Sequence, residues 1–108
     1  MVKVVVFRKN DSLVGFEMSG HADPAKKSGE DIVCAYLSAI PRQLYLGLTN
    51  LTDNRPNIRE RAEDGYVHCM LSEPISEQAA LLMQVFYLTV KDLESGYSKF
   101  VKVTIEEV

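Results

Sequence analysis

Two runs rich in β-branched and aromatic residues, VKVVVFRK and SLVGFEMSG, flank the dipeptide Asn10-Asp11, and this constrains the fold more than any other feature of the chain. Asparagine and aspartate tolerate the left-handed backbone of a two-residue turn, whose twist matches that of the strands on either side. The chain is therefore expected to open with a β-hairpin. From Ala22 to Gly29 it turns polar. Ser28 and Asp31, three positions apart, have the form of an N-terminal capping box, which predicts a helix starting near Gly29. Val33, Leu37, Ile40, Leu44 and Leu48 recur at helical spacing, as a core-facing stripe must. Pro41 lacks a backbone donor in the middle of that pattern and predicts a kink or a break.

Beyond the polar linker NLTDNRPN, the runs IRERAED and YVHCMLS flank Gly65. Their shorter alternating character predicts a second hairpin, with Asp64-Gly65 as its turn. Ser76 to Leu93 reads as a second helix. Its apolar positions, among them Leu81, Leu82, Met83, Val85, Phe86 and Leu88, exceed what one face can hold, so part of that surface is expected to meet another subunit and make a homodimer. Lys99 to Glu107 closes the chain with Phe100, Lys102 and Thr104 alternating against Val101, Val103 and Ile105, the period of a half-buried strand. The order ββαββαβ predicts an α+β two-layer sandwich, with two helices packed on a mixed or antiparallel sheet.

A length of 108 residues suits one domain with a modest core, so residues 1–108 are read as a single domain. A net charge of −3 and a sequence pI near 5.3 give no electrostatic footprint for nucleic acid, which requires clustered Lys and Arg. The densest apolar run, Ala79 to Val90, is too short to span a bilayer, and no signal peptide is evident. Two cysteines without a secretory signal suggest a reducing compartment, and the chain is read as cytoplasmic. No Gly-rich phosphate loop occurs, and no cofactor is expected. A metal would have to draw on His21, Cys34, His68 and Cys69. His68 and Cys69 are neighbours in a strand and point to opposite faces, so no metal site is expected either. The charged stretch ERAED reads as a solvated strand face and turn.

Cys69 shares its strand face with Val67 and Leu71 and reads as a small buried hydrophobe. Cys34 differs. It lies in the first two turns of the helix, where the positive end of the macrodipole favours a thiolate. At about 100° per residue, it sits at the margin of the core stripe, with Asp31 and Ser38 sharing its flank. His21 stands at the end of a strand, separated from the helix by a loop that can fold back over the helix N-terminus, as an activating base requires. Cys34 and His21 are thus a candidate catalytic dyad. Asp31 either orients His21 or caps the helix. Ser38 hydrogen-bonds near the sulfur or back to the helix.

The segment Gly20-His21-Ala22, then Gly29, then Asp31-Ile32-Val33-Cys34-Ala35 and Ser38, resembles the signature of the bacterial ribosomal-processing cysteine proteases, and the likeness extends to LTDNRPNI. The resemblance implies an endopeptidase that removes a short N-terminal extension from the precursor of large-subunit ribosomal protein 27. By position, Cys34 would be its nucleophile and His21 its general base. It also implies a groove for an extended peptide with aromatic and apolar residues beside the cut. The loop from Ala22 to Gly29 would cover that groove, with Gly20 and Gly29 as hinges. Two other readings share part of the pattern: a non-catalytic ribosome-associated binding module, and a thiol redox sensor in which Cys34 oxidises and Cys69 resolves.

Overall fold

In the computed structural model, which describes residues 1–20, 30–61, 63 and 65–108, Asn10 and Asp11 adopt φ of 50° and 66°. This left-handed pair folds β1 (Val2–Lys9) back on β2 (Ser12–Ser19) as an antiparallel hairpin. Val4 faces Met18 and Val6 faces Phe16, and the register shifts between Phe7 and Arg8. Ser28, Gly29 and the Asp64 half of the second turn lie outside the described residues. So do His21 and Ala22.

The first helix, α1, runs from Glu30 to Leu51 without interruption, carrying Pro41 inside it. The expected break does not occur. Pro41 has no N–H to offer the Leu37 carbonyl. Ile40, Leu44 and Leu48, buried on the same face beside and beyond it, hold the helix on course. Because α1 reaches Leu51 and β3 (Pro56–Arg61) starts at Pro56, the connection between them is shorter than the polar linker suggested. Then follow β4 (Tyr66–Leu71), α2 (Glu77–Gly96) and β5 (Val101–Glu107). At the start of α2, the Ser76 hydroxyl accepts from the Ala79 N–H at 3.1 Å, taking up one of the amides that a helix start leaves unpaired.

The sheet order is β3-β4-β2-β1-β5, and β5 lies parallel to β1 while the other neighbours are antiparallel. The sheet is therefore mixed. β2 and β3 point the same way with β4 between them, and β4 and β5 point the same way with β2 and β1 between them. The two crossovers step in opposite directions along the sheet from strands of opposite sense. If both obey the right-handed rule, they must lie on one face. One core bears this out: Val4, Val6, Phe16, Met18, Cys69 and Val103 of the sheet are buried against Val33, Leu44 and Leu48 of α1 and Met83, Phe86 and Val90 of α2. The Phe16 and Phe86 rings meet at 4.5 Å. The expected α+β two-layer sandwich is the observed architecture.

Two polar devices tie the layers together. Asn54, the buried polar residue of the α1–β3 connection, donates to the carbonyls of Ser72 and Pro74 at 2.8 and 2.7 Å and accepts from the Ser76 N–H at 2.9 Å. Its amide thus fixes the entry to α2. At the far end of α2, the Glu94 carboxylate accepts from the Val103 N–H at 2.7 Å, occupying a donor on an edge strand that would otherwise invite pairing with another chain.

Candidate active site

Cys34 is the fifth residue of α1. It is half-buried and packs against the edge of the core. Residues 34, 38, 42 and 45 follow one another at helical spacing and so share a flank of α1. Cys34, Ser38, Arg42 and Tyr45 accordingly form one wall of a cleft of about 570 Å³. The facing wall comes from the sheet, where Ile58, Glu60, Val67 and Cys69 share one face, and Arg61 and Tyr66, paired across β3 and β4, border it. Such a cleft has room for several side chains of a bound peptide.

Gly20 also lines the cleft. Its φ is +98°, and a Cβ built there would stand 2.4 Å from the Met1 carbonyl oxygen, so no other residue fits without moving β1. β2 therefore delivers the chain to the cleft that Cys34 lines, at the position immediately before His21. His21, Ala22 and Gly29 lie outside the described residues, as does the side chain of Asp31. The Ser38 hydroxyl donates to the Cys34 carbonyl oxygen at 2.9 Å, the back-bond to the helix that was one of its two expected roles.

The two cysteines are not joined by a disulfide and occupy opposite environments. Cys69 is 1% exposed, and burial pushes its thiol up to about 12. At neutral pH it is a neutral core group that can neither attack nor resolve an oxidised partner. His68 is turned to the other face of the sheet, as strand alternation predicts. There it stands opposite Glu17 and packs its ring 5.6 Å from that of Phe7. It therefore cannot serve the cleft.

Two arginines, one lining the cleft and one at its border, are braced on aromatic rings. The Arg42 guanidinium lies 5.4 Å from the Tyr45 ring centre, and that of Arg61 lies 4.2 Å from Tyr66. The Tyr66 hydroxyl donates to Glu17 at 2.9 Å, and that hydrogen bond, followed by burial, raises the Tyr66 pKa above its usual value. None of these four side chains stood out in the sequence. The signal that could have found Arg42 and Tyr45 is their spacing from Cys34 on the same helical flank. Among the described residues, no three His, Cys, Asp or Glu side chains are grouped so as to hold a metal ion.

The family described as Cysteine protease Prp matches this sequence over residues 1–102. A ribosomal processing cysteine protease Prp of Staphylococcus aureus is 29% identical over 85 residues, which is 79% of each chain. The crystal structure of an essential ribosomal processing protease Prp from S. aureus, with a covalently linked product peptide, superposes with a TM-score of 0.88 at 25% identity. It covers 98% of this chain and all of that one. A Streptococcus mutans protein superposes with a TM-score of 0.90 at 27% identity over 100% of this chain and 99% of its own.

Proposed function

Because the chain belongs to the cysteine protease Prp family and its Staphylococcus aureus relative is named a ribosomal processing cysteine protease, we propose that its substrate is the precursor of large-subunit ribosomal protein 27, from which it removes the N-terminal extension. The whole chain would act as one protease domain in the cytoplasm, on a soluble precursor. No helix among the described residues is long and apolar enough to cross a membrane.

The observation that carries this reading is the pairing of a half-buried Cys34 with a cleft sized for peptide, beside a second cysteine that burial has silenced. Cys34 is the nucleophile and His21 the general base. With His68 committed to the opposite face of the sheet, His21 is the histidine left for the role, and Gly20 brings the chain to the cleft immediately before it. His21 takes the thiol proton, and the Cys34 thiolate attacks the scissile carbonyl. Backbone N–H groups near the start of α1 then stabilise the oxyanion. Collapse expels the amine, which takes the proton back from His21, and leaves a thioester. Water, deprotonated by His21, hydrolyses that thioester and restores the thiol. Asp31 either orients His21 or caps α1, and Gly20, Ala22 and Gly29 belong to the segment that meets the substrate. The apolar floor formed by Ile58, Val67 and Cys69 suits a peptide with apolar and aromatic residues beside the cut.

The enzyme acts as a homodimer in this reading. Leu81, Val85 and Leu88, spaced along one stripe of α2, are 61%, 49% and 65% exposed, and with Leu46 and Leu51 of α1 they make the apolar surface that a second copy would cover. Incubation with the protein 27 precursor, read by intact mass, tests the assignment. Loss of the extension with the parent but not with Cys34→Ser or His21→Ala is the expected result. An intact precursor, or cleavage that survives Cys34→Ser, would return the chain to the binding-module reading. The redox-sensor reading loses its resolving partner in Cys69, whose thiol stays protonated in the core.

A further inference from the structure

Arg42 lies on the same flank of α1 as Cys34, eight residues further along the helix, and both line the cleft. Its guanidinium is held over the Tyr45 ring and makes no ion pair with a carboxylate among the described residues. The described charged side chains that line the cleft are Arg42, Arg61 and Glu60. Of the other two, Glu60 stands on β3 and Arg61 is stacked over the Tyr66 ring. A cation fixed in direction by an aromatic ring, lining the cleft on the Cys34 flank and with no carboxylate partner among the described residues, is arranged to receive an anion from the substrate.

Resting on the protease reading above, we propose that Arg42, braced by Tyr45, is a specificity-determining residue that pairs with an acidic side chain of the substrate. Its reach gives the position. Eight helical residues advance about 12 Å along α1, and an extended peptide covers about 3.3 Å per residue. An acidic side chain about three to five residues from the scissile bond therefore meets the Arg42 guanidinium. Tyr45 restricts the long arginine side chain before substrate arrives, which lowers the entropy lost on pairing.

The test uses synthetic peptides from the precursor's cleavage region, with Asp, Asn or Lys placed singly at each position within six residues of the cut. The parent, Arg42→Glu, Tyr45→Phe and Tyr45→Ala are compared by kcat/KM, and Cys34→Ala forms of the parent and of Arg42→Glu are compared by peptide-binding anisotropy. We expect the parent to favour Asp over Lys about fivefold to tenfold at one position, the size of a partly exposed charge-assisted pair. Arg42→Glu should invert that ratio at the same position. Tyr45→Phe should keep the preference and Tyr45→Ala should weaken it. An unchanged Asp-to-Lys ratio in Arg42→Glu at every position would overturn the proposal. So would a shift of equal size at all positions, which reports net charge alone, or a change in oligomeric mass with no change in ratio, which would assign Arg42 to a subunit contact. If the parent cleaves none of the peptides, the protease reading fails instead. The anisotropy arm then still decides whether Arg42 selects peptides by charge.

Discussion

The Ser38 hydroxyl donates to the carbonyl oxygen of Cys34 at 2.9 Å, so the polar side chain one turn beyond the candidate nucleophile is bonded to the helix backbone. Ser38 therefore has a structural job within α1 and no bond to the sulfur. Ser38→Ala should lower kcat/KM by less than about threefold, the effect of losing one exposed local hydrogen bond. Cys34→Ser, in contrast, should reduce cleavage to background, because a hydroxyl is far harder for one histidine to activate than a thiol. Side-by-side progress curves on the precursor decide this. A loss of a hundredfold or more in Ser38→Ala would place the hydroxyl in the chemistry.

The contrast between the two cysteines predicts selective alkylation. With its thiol pushed up to about 12 by burial, Cys69 has almost no thiolate at pH 7.5, and at 1% exposure it offers reagent little surface at the cleft floor. Iodoacetamide should label Cys34 in the native protein, abolish cleavage, and reach Cys69 only after unfolding, as peptide mass mapping would show. Cys69→Ser should retain cleavage while costing about 1–3 kcal/mol of stability, because it buries a hydroxyl without an assured partner. Native labelling of Cys69 at a rate matching Cys34 would contradict the buried environment.

Most of the architecture was legible in the sequence because its signals were local. The alternation in VKVVVFRK and SLVGFEMSG, the tolerance of Asn10 and Asp11 for positive φ, and the stripe from Val33 to Leu48 each name an element without knowledge of its neighbours. The break expected at Pro41 failed for the opposite reason. Whether a helix survives a missing hydrogen bond depends on what Ile40, Leu44 and Leu48 bury against, and that is a tertiary matter. The same holds for the cleft. Cys34 could be singled out from its place at a helix start, but Ile58, Glu60, Arg61 and Tyr66 come to it from strands more than twenty residues away, and no spacing rule connects them to it. The Asn54 amide, which joins the α1–β3 connection to the entry of α2, was invisible for the same reason.

Glu94 predicts a pH dependence of stability. Its pKa is lowered first by the hydrogen bond from Lys91, then by the bond from the Val103 N–H. A carboxyl whose folded pKa lies below its unfolded one adds stability at pH values above the unfolded value, and that stability is lost as pH falls through the folded one. Glu94→Gln should therefore lower the midpoint of thermal unfolding at pH 7. The gap from the parent should close as the pH is taken below the ordinary carboxylate range. At pH 7 the loss should be about 1–2 kcal/mol, the scale of a charge-assisted bond to a backbone donor. A gap that is the same at pH 7 and pH 3 would mean that the side-chain charge plays no part.

The exposed stripe of α2 predicts a dimer. Leu81, Val85 and Leu88 stand at i, i+4 and i+7, so their side chains form one continuous apolar ridge beside the groove that α2 makes with α1. Ridges and grooves of this kind interdigitate when two helical layers meet, and a two-fold axis would let each copy supply both. Light scattering at micromolar concentration should give twice the 12.1 kDa of one chain. Leu88→Glu should give the single-chain mass with an unchanged circular dichroism spectrum, since residue 88 is 65% exposed and takes no part in the core. The charge would face its own symmetry mate or an apolar surface, and either arrangement penalises association. A parent protein that runs at 12.1 kDa across this concentration range would remove the dimer and leave the ridge to some other partner.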